Sequence, residues 1–90
     1  MELTKTQAAI LDILRVKKGC TFATLCLKLN LALEVKLTLD AVKQELHPLE
    51  EMKLVVKKMT KDRELHYHLT WRGNKTKVRL KKSYQSQGTG

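Results

Sequence analysis

Up to Glu51 the apolar residues of this 90-residue chain keep helical spacing, and beyond it they keep strand spacing. That change of period constrains the fold more than any single motif. Between Thr4 and Lys18, Ala9, Ile10, Ile13 and Leu14 recur at three and four, with Thr4 or Thr6 as N-cap and Gly19 as stop. Thr21 caps a second helical series, Phe22, Leu25, Cys26 and Leu29, which Asn30 is expected to end. A third series, Val35, Leu39, Val42, Leu46 and Leu49, keeps to one helical face. After Glu51, the run Leu54-Val55-Val56, the polar stretch Thr60 to Glu64 and the alternating Leu65-His66-Tyr67-His68-Leu69 predict a β-hairpin. Its second strand puts Leu65, Tyr67 and Leu69 on one face and His66 and His68 on the other. Beyond Gly73 only Val78 and Leu80 are apolar, which predicts at most a short strand and a loose end over 85–90.

One segment obeys both periods. From Leu25 to Leu39 apolar residues stand two apart, as in a strand, yet strands usually run about five or six residues. Leu, Lys, Ala and Glu also favour helix, so two helices are expected here. Leu27, Leu31, Leu33 and Leu37 then fall off the two core faces. They form either a surface for a partner or second copy, or an apolar lining that the connector folds back to bury.

The formal charge of +9 is unevenly spread. Residues 1–51 hold as many acids as bases, residues 52–70 carry +3, and residues 71–90 carry +6 with no acid at all. Such asymmetry points to a polyanion partner. A chain of this size forms one domain without room for a deep cleft, and no nucleophile, base and orienter fall into a known arrangement, so an enzyme is not expected. No apolar run approaches a membrane span. Met-Glu-Leu-Thr-Lys at the N-terminus has neither the basic start nor the apolar block of a secretory signal, so the expected location is the cytoplasm, with the nucleoid. Cys20 and Cys26 are too few for a disulfide framework and lack zinc-knuckle spacing, and read as reduced, packed thiols. His66 and His68, even with His47, lack a fixed third ligand, so neither a metal, a cofactor nor a small-molecule ligand is expected.

The blocks Leu46-His-Pro-Leu-Glu-Glu-Met-Lys-Leu-Val and Tyr67-His-Leu-Thr-Trp-Arg-Gly73 resemble the winged helix-turn-helix domains of small prokaryotic, phage and plasmid transcription regulators. The resemblance covers about residues 5–73. It implies an α+β, mainly α, fold of three helices and a β-hairpin wing over residues 1–73, followed by a basic, partly disordered tail over 74–90. It also implies that Thr38 caps a recognition helix whose Asp40, Ala41, Lys43, Gln44 and His47 face a DNA groove, with the wing turning between Met59 and Leu65. Three departures from the family pattern stand out. The connector before the third helix reads several residues too long, Lys53 replaces the glycine that ends that helix, and Pro48 predicts a kink or early end.

Double-stranded DNA is thus the expected partner, with transcription regulation as the use. Base contacts would come from Ala41, Lys43, Gln44 and His47. Backbone contacts would come from Lys36 and Thr38, from Lys57, Lys58, Lys61 and Arg63 of the wing, and from Arg72, Lys75, Lys77, Arg79, Lys81 and Lys82 of the tail. Trp71 is expected to pack against the wing. A homodimer would double the DNA contact. The competing reading is a protein-interaction module docking through the leucines; RNA fits less well, because four aromatics offer no stacking series.

Overall fold

The computed structural model describes residues 2–88, with side chains for residues 2–82. The elements run α1 (Lys5–Ile13), β1 (Cys20–Thr21), α2 (Phe22–Leu33), α3 (Leu39–Glu51), β2 (Val55–Met59), β3 (Leu65–Leu69) and α4 (Trp71–Gly88). The three strands form an antiparallel sheet in the order β1-β3-β2.

Helix α1 starts with a capping box. The Gln7 amide donates to Thr4 Oγ1 (3.0 Å) and the Thr4 amide to Gln7 Oε1 (2.9 Å), so two otherwise unpaired helix-start donors are satisfied. The helix ends at Ile13, earlier than its apolar spacing suggests, because β3 recruits the next stretch of chain. The Arg15 carbonyl accepts from the Leu69 amide (2.9 Å), the Val16 carbonyl contacts His68 Nδ1 (3.0 Å), and Cys20 and Thr21 pair with Tyr67 and His66. Gly19 is therefore not a helix cap. It stands across from His68, where a Cβ would come within 2.3 Å of the imidazole.

Thr21 caps α2 as expected, its Oγ1 accepting from the Thr24 amide (3.2 Å), but the helix continues past Asn30 to Leu33. Asn30 shapes the connector instead: its carbonyl accepts from Val35 (3.2 Å) and its side chain from the Leu37 amide (2.9 Å), while Glu34 turns the chain at φ 55°. The connector thus spans only residues 34–38, and the last turn of α2, Leu31 to Leu33, takes up part of the excess of about six residues read from the sequence. Helix α3 begins at the Thr38 cap and passes through Pro48 to Glu51, without the early end that proline predicts. The bond lost at Pro48 belongs to exposed Gln44, where solvent can supply the partner. Lys53 does adopt the left-handed conformation expected of it, at φ 63°. The Lys53 amide then donates to Glu50 (3.0 Å) and the Leu54 amide to Leu49 (3.0 Å), a complete Schellman ending.

The core gathers Ile10, Leu11 and Leu14 of the α1 region, Leu25, Cys26 and Leu29 of α2, Val42, Leu46 and Leu49 of α3, and Leu54, Val55 and Leu69 around the sheet. Leu33 and Leu37 are half-buried against it, so the connector accounts for two of the four surplus leucines; Leu27 and Leu31 stay 65% and 74% exposed. Residues 74–88, expected as at most a short strand in a partly disordered tail, are helical, in an α4 that already begins at Trp71. Thr70 initiates α4 by accepting from the Gly73 amide at Oγ1 (2.9 Å) and from Asn74 at its carbonyl (2.9 Å), and Gly73, Lys77 and Leu80 form the inner stripe. Of the closing residues expected to be loose, 85–88 are in α4 and 89–90 lie outside the described residues.

Two substitutions test these termini by chemical denaturation. Lys53→Gly removes the cost of a left-handed non-glycine residue and is expected to stabilise the fold by about 1 kcal/mol. Gly73→Ala puts a Cβ 2.0 Å from the Leu54 carbonyl oxygen and is expected to cost at least about 2 kcal/mol.

Candidate nucleic-acid interface

Core packing of Val42, Leu46 and Leu49 fixes which side of α3 faces outward. Asp40, Lys43, Gln44, His47 and Glu51 are exposed, and Ala41 is half-buried at the edge of that face. Glu45, whose sequence position suggests repulsion of phosphate, turns inward: its carboxylate accepts from the Thr4 hydroxyl and its carbonyl from Gln7 Nε2 (3.4 Å). The helix face is still close to neutral. Asp40 is unshielded in the first turn, and His47 Nε2 lies 2.7 Å from Glu51 Oε1. Lys43 leans on α2, its ammonium 5.6 Å from the centre of the Phe22 ring, which in turn packs against Tyr67.

A groove of about 280 Å³ joins this face to the hairpin, lined by Lys43, Leu46, His47, Glu50, Lys57 and Tyr67. Sequence reasoning passed over Glu50, whose carboxylate lies 3.7 Å from Lys57 Nζ and holds that lysine at the groove. The strands pair from Val55 with Leu69 out to Met59 with Leu65. Beyond them a five-residue tip is closed by the Thr60 amide on the Glu64 carbonyl (2.8 Å), with Arg63 at φ 62°. Lys58, Lys61 and Arg63 are exposed and make no ion pair among the described residues. Lys36 and the Thr38 cap are exposed at the α3 entrance. The groove therefore brings two of the expected base-facing residues, Lys43 and His47, beside one wing cation, Lys57.

The tail cations do not share one fate. Lys77 is 6% exposed and donates to the Leu14 carbonyl (3.0 Å), capping the C-terminal end of α1, so it leaves the set of phosphate contacts. Lys81 pairs with Asp12 at 3.3 Å. Arg72, Lys75, Arg79 and Lys82 are exposed on α4, and Trp71, expected to pack on the wing, is 67% exposed at the start of that helix. His68 is held by Val16 and Gly19, His66 lies 3.7 Å from Glu64, and His47 is held by Glu51. Among the described residues no three His, Cys, Asp or Glu side chains group as metal ligands. Burial pushes the Cys20 and Cys26 thiols up, which keeps both protonated and unreactive.

No family model and no curated protein matches the chain. Solved structures do. RosR of H. salinarum superposes with a TM-score of 0.83 at 22% identity, over 96% of this chain and 77% of its own. A MarR-family transcriptional regulator from Silicibacter pomeroyi gives 0.73 at 23%, over 93% and 53%. MepR, a transcription regulator of a Staphylococcus aureus multidrug efflux pump, gives 0.78 at 22%, over 98% and 62%, and its DNA complex gives 0.74. This chain has the winged-helix fold. It spans little more than half of the S. pomeroyi regulator and under two thirds of MepR. The winged-helix proteins it resembles include transcription regulators, and none of these three is described as an enzyme. No helix among the described residues is long and apolar enough to cross a membrane.

Burial lowers the Lys77 pKa below its ordinary 10.5, the nearby Arg15 adding to the effect. Because the unfolded chain then binds this proton more tightly, the stability that Lys77 contributes rises with pH through the window between the lowered value and 10.5. Relative to Lys77→Met, the wild-type chain is expected to gain stability as pH rises towards 10.5, measured by urea denaturation of both.

Proposed function

We propose that this winged-helix domain binds double-stranded DNA and serves as a transcription regulator. Lys43, Gln44 and His47, with Ala41 beside them, meet base edges, while Lys36, Thr38, Lys57, Lys58, Lys61 and Arg63 hold phosphates. The observation that carries this reading is the groove that sets Lys43 and His47 of α3 beside Lys57 of the wing. The solved MepR–DNA complex of the same fold supports it. Near neutrality of α3 divides the labour: wing cations supply affinity, and whatever sequence preference exists comes from Gln44 and Lys43.

The exposed Leu27 and Leu31 favour a second reading, in which α2 docks a partner or a second copy of the chain. Sedimentation over a concentration series separates the two. A concentration-dependent dimer abolished by Leu31→Asp supports self-association, and an unchanged monomer with no duplex affinity leaves only a different protein partner.

With Lys36, Lys57, Lys58, Lys61 and Arg63 on phosphates, log K for a short duplex is expected to fall against log salt with a slope of about −4.5. Lys61→Ala/Arg63→Ala should flatten it by about 2. Gln44→Ala is expected to cost about 1 to 3 kcal/mol on a preferred sequence and nearly nothing on others, measured by fluorescence anisotropy. Equal loss on every sequence would confine Gln44 to backbone contact.

A further inference from the structure

The cations beyond the hairpin form a surface of their own. At about 100° per residue, Val78, Trp71, Lys82, Lys75, Arg79 and Arg72 fall within about 120° of the α4 circumference, opposite the stripe of Gly73, Lys77 and Leu80 that faces the domain. Four of these six carry positive charge, residues 65–90 contain no acid, and none of the four makes an ion pair among the described residues. Helix α4 leaves the sheet where Leu69 pairs with Val55, at the opposite end of the strands from the wing tip, about 15 Å away. From there it runs along α1, tied by Lys77 to Leu14 and by Lys81 to Asp12. The excess charge of the molecule is thus divided between two separated surfaces.

We propose that the outer face of α4 is a second duplex-binding surface, so that one domain holds two DNA segments at once. The inference rests on the DNA-binding reading of α3 and the wing. Charge decides the occupant. A second copy placed face to face on α4 would set four cations against four, which is repulsive. An interfacial membrane helix needs a broad apolar face to bury, and among the described residues of α4 Leu80 packs on the core while Trp71 and Val78 alone are apolar and exposed. Duplex DNA needs spaced cations and little else.

A bridging assay with the full chain tests this. One duplex is immobilised, a second labelled duplex is added, and capture is measured alongside anisotropy on a single duplex. Two variants are compared, Lys75→Glu/Arg79→Glu/Lys82→Glu on α4 and Lys58→Glu/Lys61→Glu/Arg63→Glu on the wing, with folding verified by circular dichroism. The α4 variant is expected to keep single-duplex affinity within about threefold and to lose capture at least about tenfold; the wing variant is expected to lose at least about tenfold in both. Capture that survives the α4 substitutions, as two wings of a dimer would give, overturns the inference. An equal loss of single-duplex affinity in both variants places α4 on the same duplex as the wing and overturns it too, while leaving DNA binding intact. Charge-dependent retention on phosphatidylserine vesicles without capture assigns α4 to a membrane and overturns it. No duplex binding by the wild-type chain overturns the underlying reading itself.

Discussion

Leu54 is the residue on which the arrangement of the domain depends. Its amide closes α3 by donating to Leu49, its carbonyl accepts from the Thr70 amide (3.1 Å), and the same carbonyl lies under Gly73 of α4. The Thr70 hydroxyl also donates to the neighbouring Lys53 carbonyl (2.6 Å) while receiving the Gly73 amide. The end of one helix, both strands of the wing and the start of another helix are therefore fixed through two adjacent peptide units. Any tilt of α3 relative to the wing must strain this junction, which ties the groove to the wing.

That junction gives the charge distribution its meaning. Lys57 lies beside α3 at the groove, and on the outer face of α3 the charge of Lys43 is set against those of Asp40 and Glu51. Attraction to phosphate and discrimination among bases then reside on different elements. The four α4 cations are held apart from the wing tip by the length of the hairpin.

Much of this was legible in the sequence, and the failures have definite causes. Thr21 and Thr38 were recognisable as caps, Val42, Leu46 and Leu49 as the inner face of α3, and Lys53 as a left-handed residue, because each rests on local backbone chemistry. The end of α1 and strand β1 were not, since they answer to Leu69, His68 and Tyr67, some fifty residues away. Helix α4 was hidden by Lys77. Counted as a surface charge, it broke the Gly73, Lys77, Leu80 spacing that marks the inner stripe, and only burial against Leu14 shows that a lysine occupies a core position. For the candidate interface, the wing cations were readable as a cluster, whereas the separation of α4 from them depends on where the helix leaves the sheet.

The bond from Lys77 to Leu14 also makes two distant parts of the chain mechanically dependent. Lifting α4 from the domain would break the bond from Lys77 to the Leu14 carbonyl and leave both groups to solvent. Whatever pulls on α4 therefore loads α1, and through the Thr4 and Gln7 contacts with Glu45 it loads α3 as well. The three contacts thus join α4, α1 and α3 in series through polar side chains, in addition to the apolar core they share.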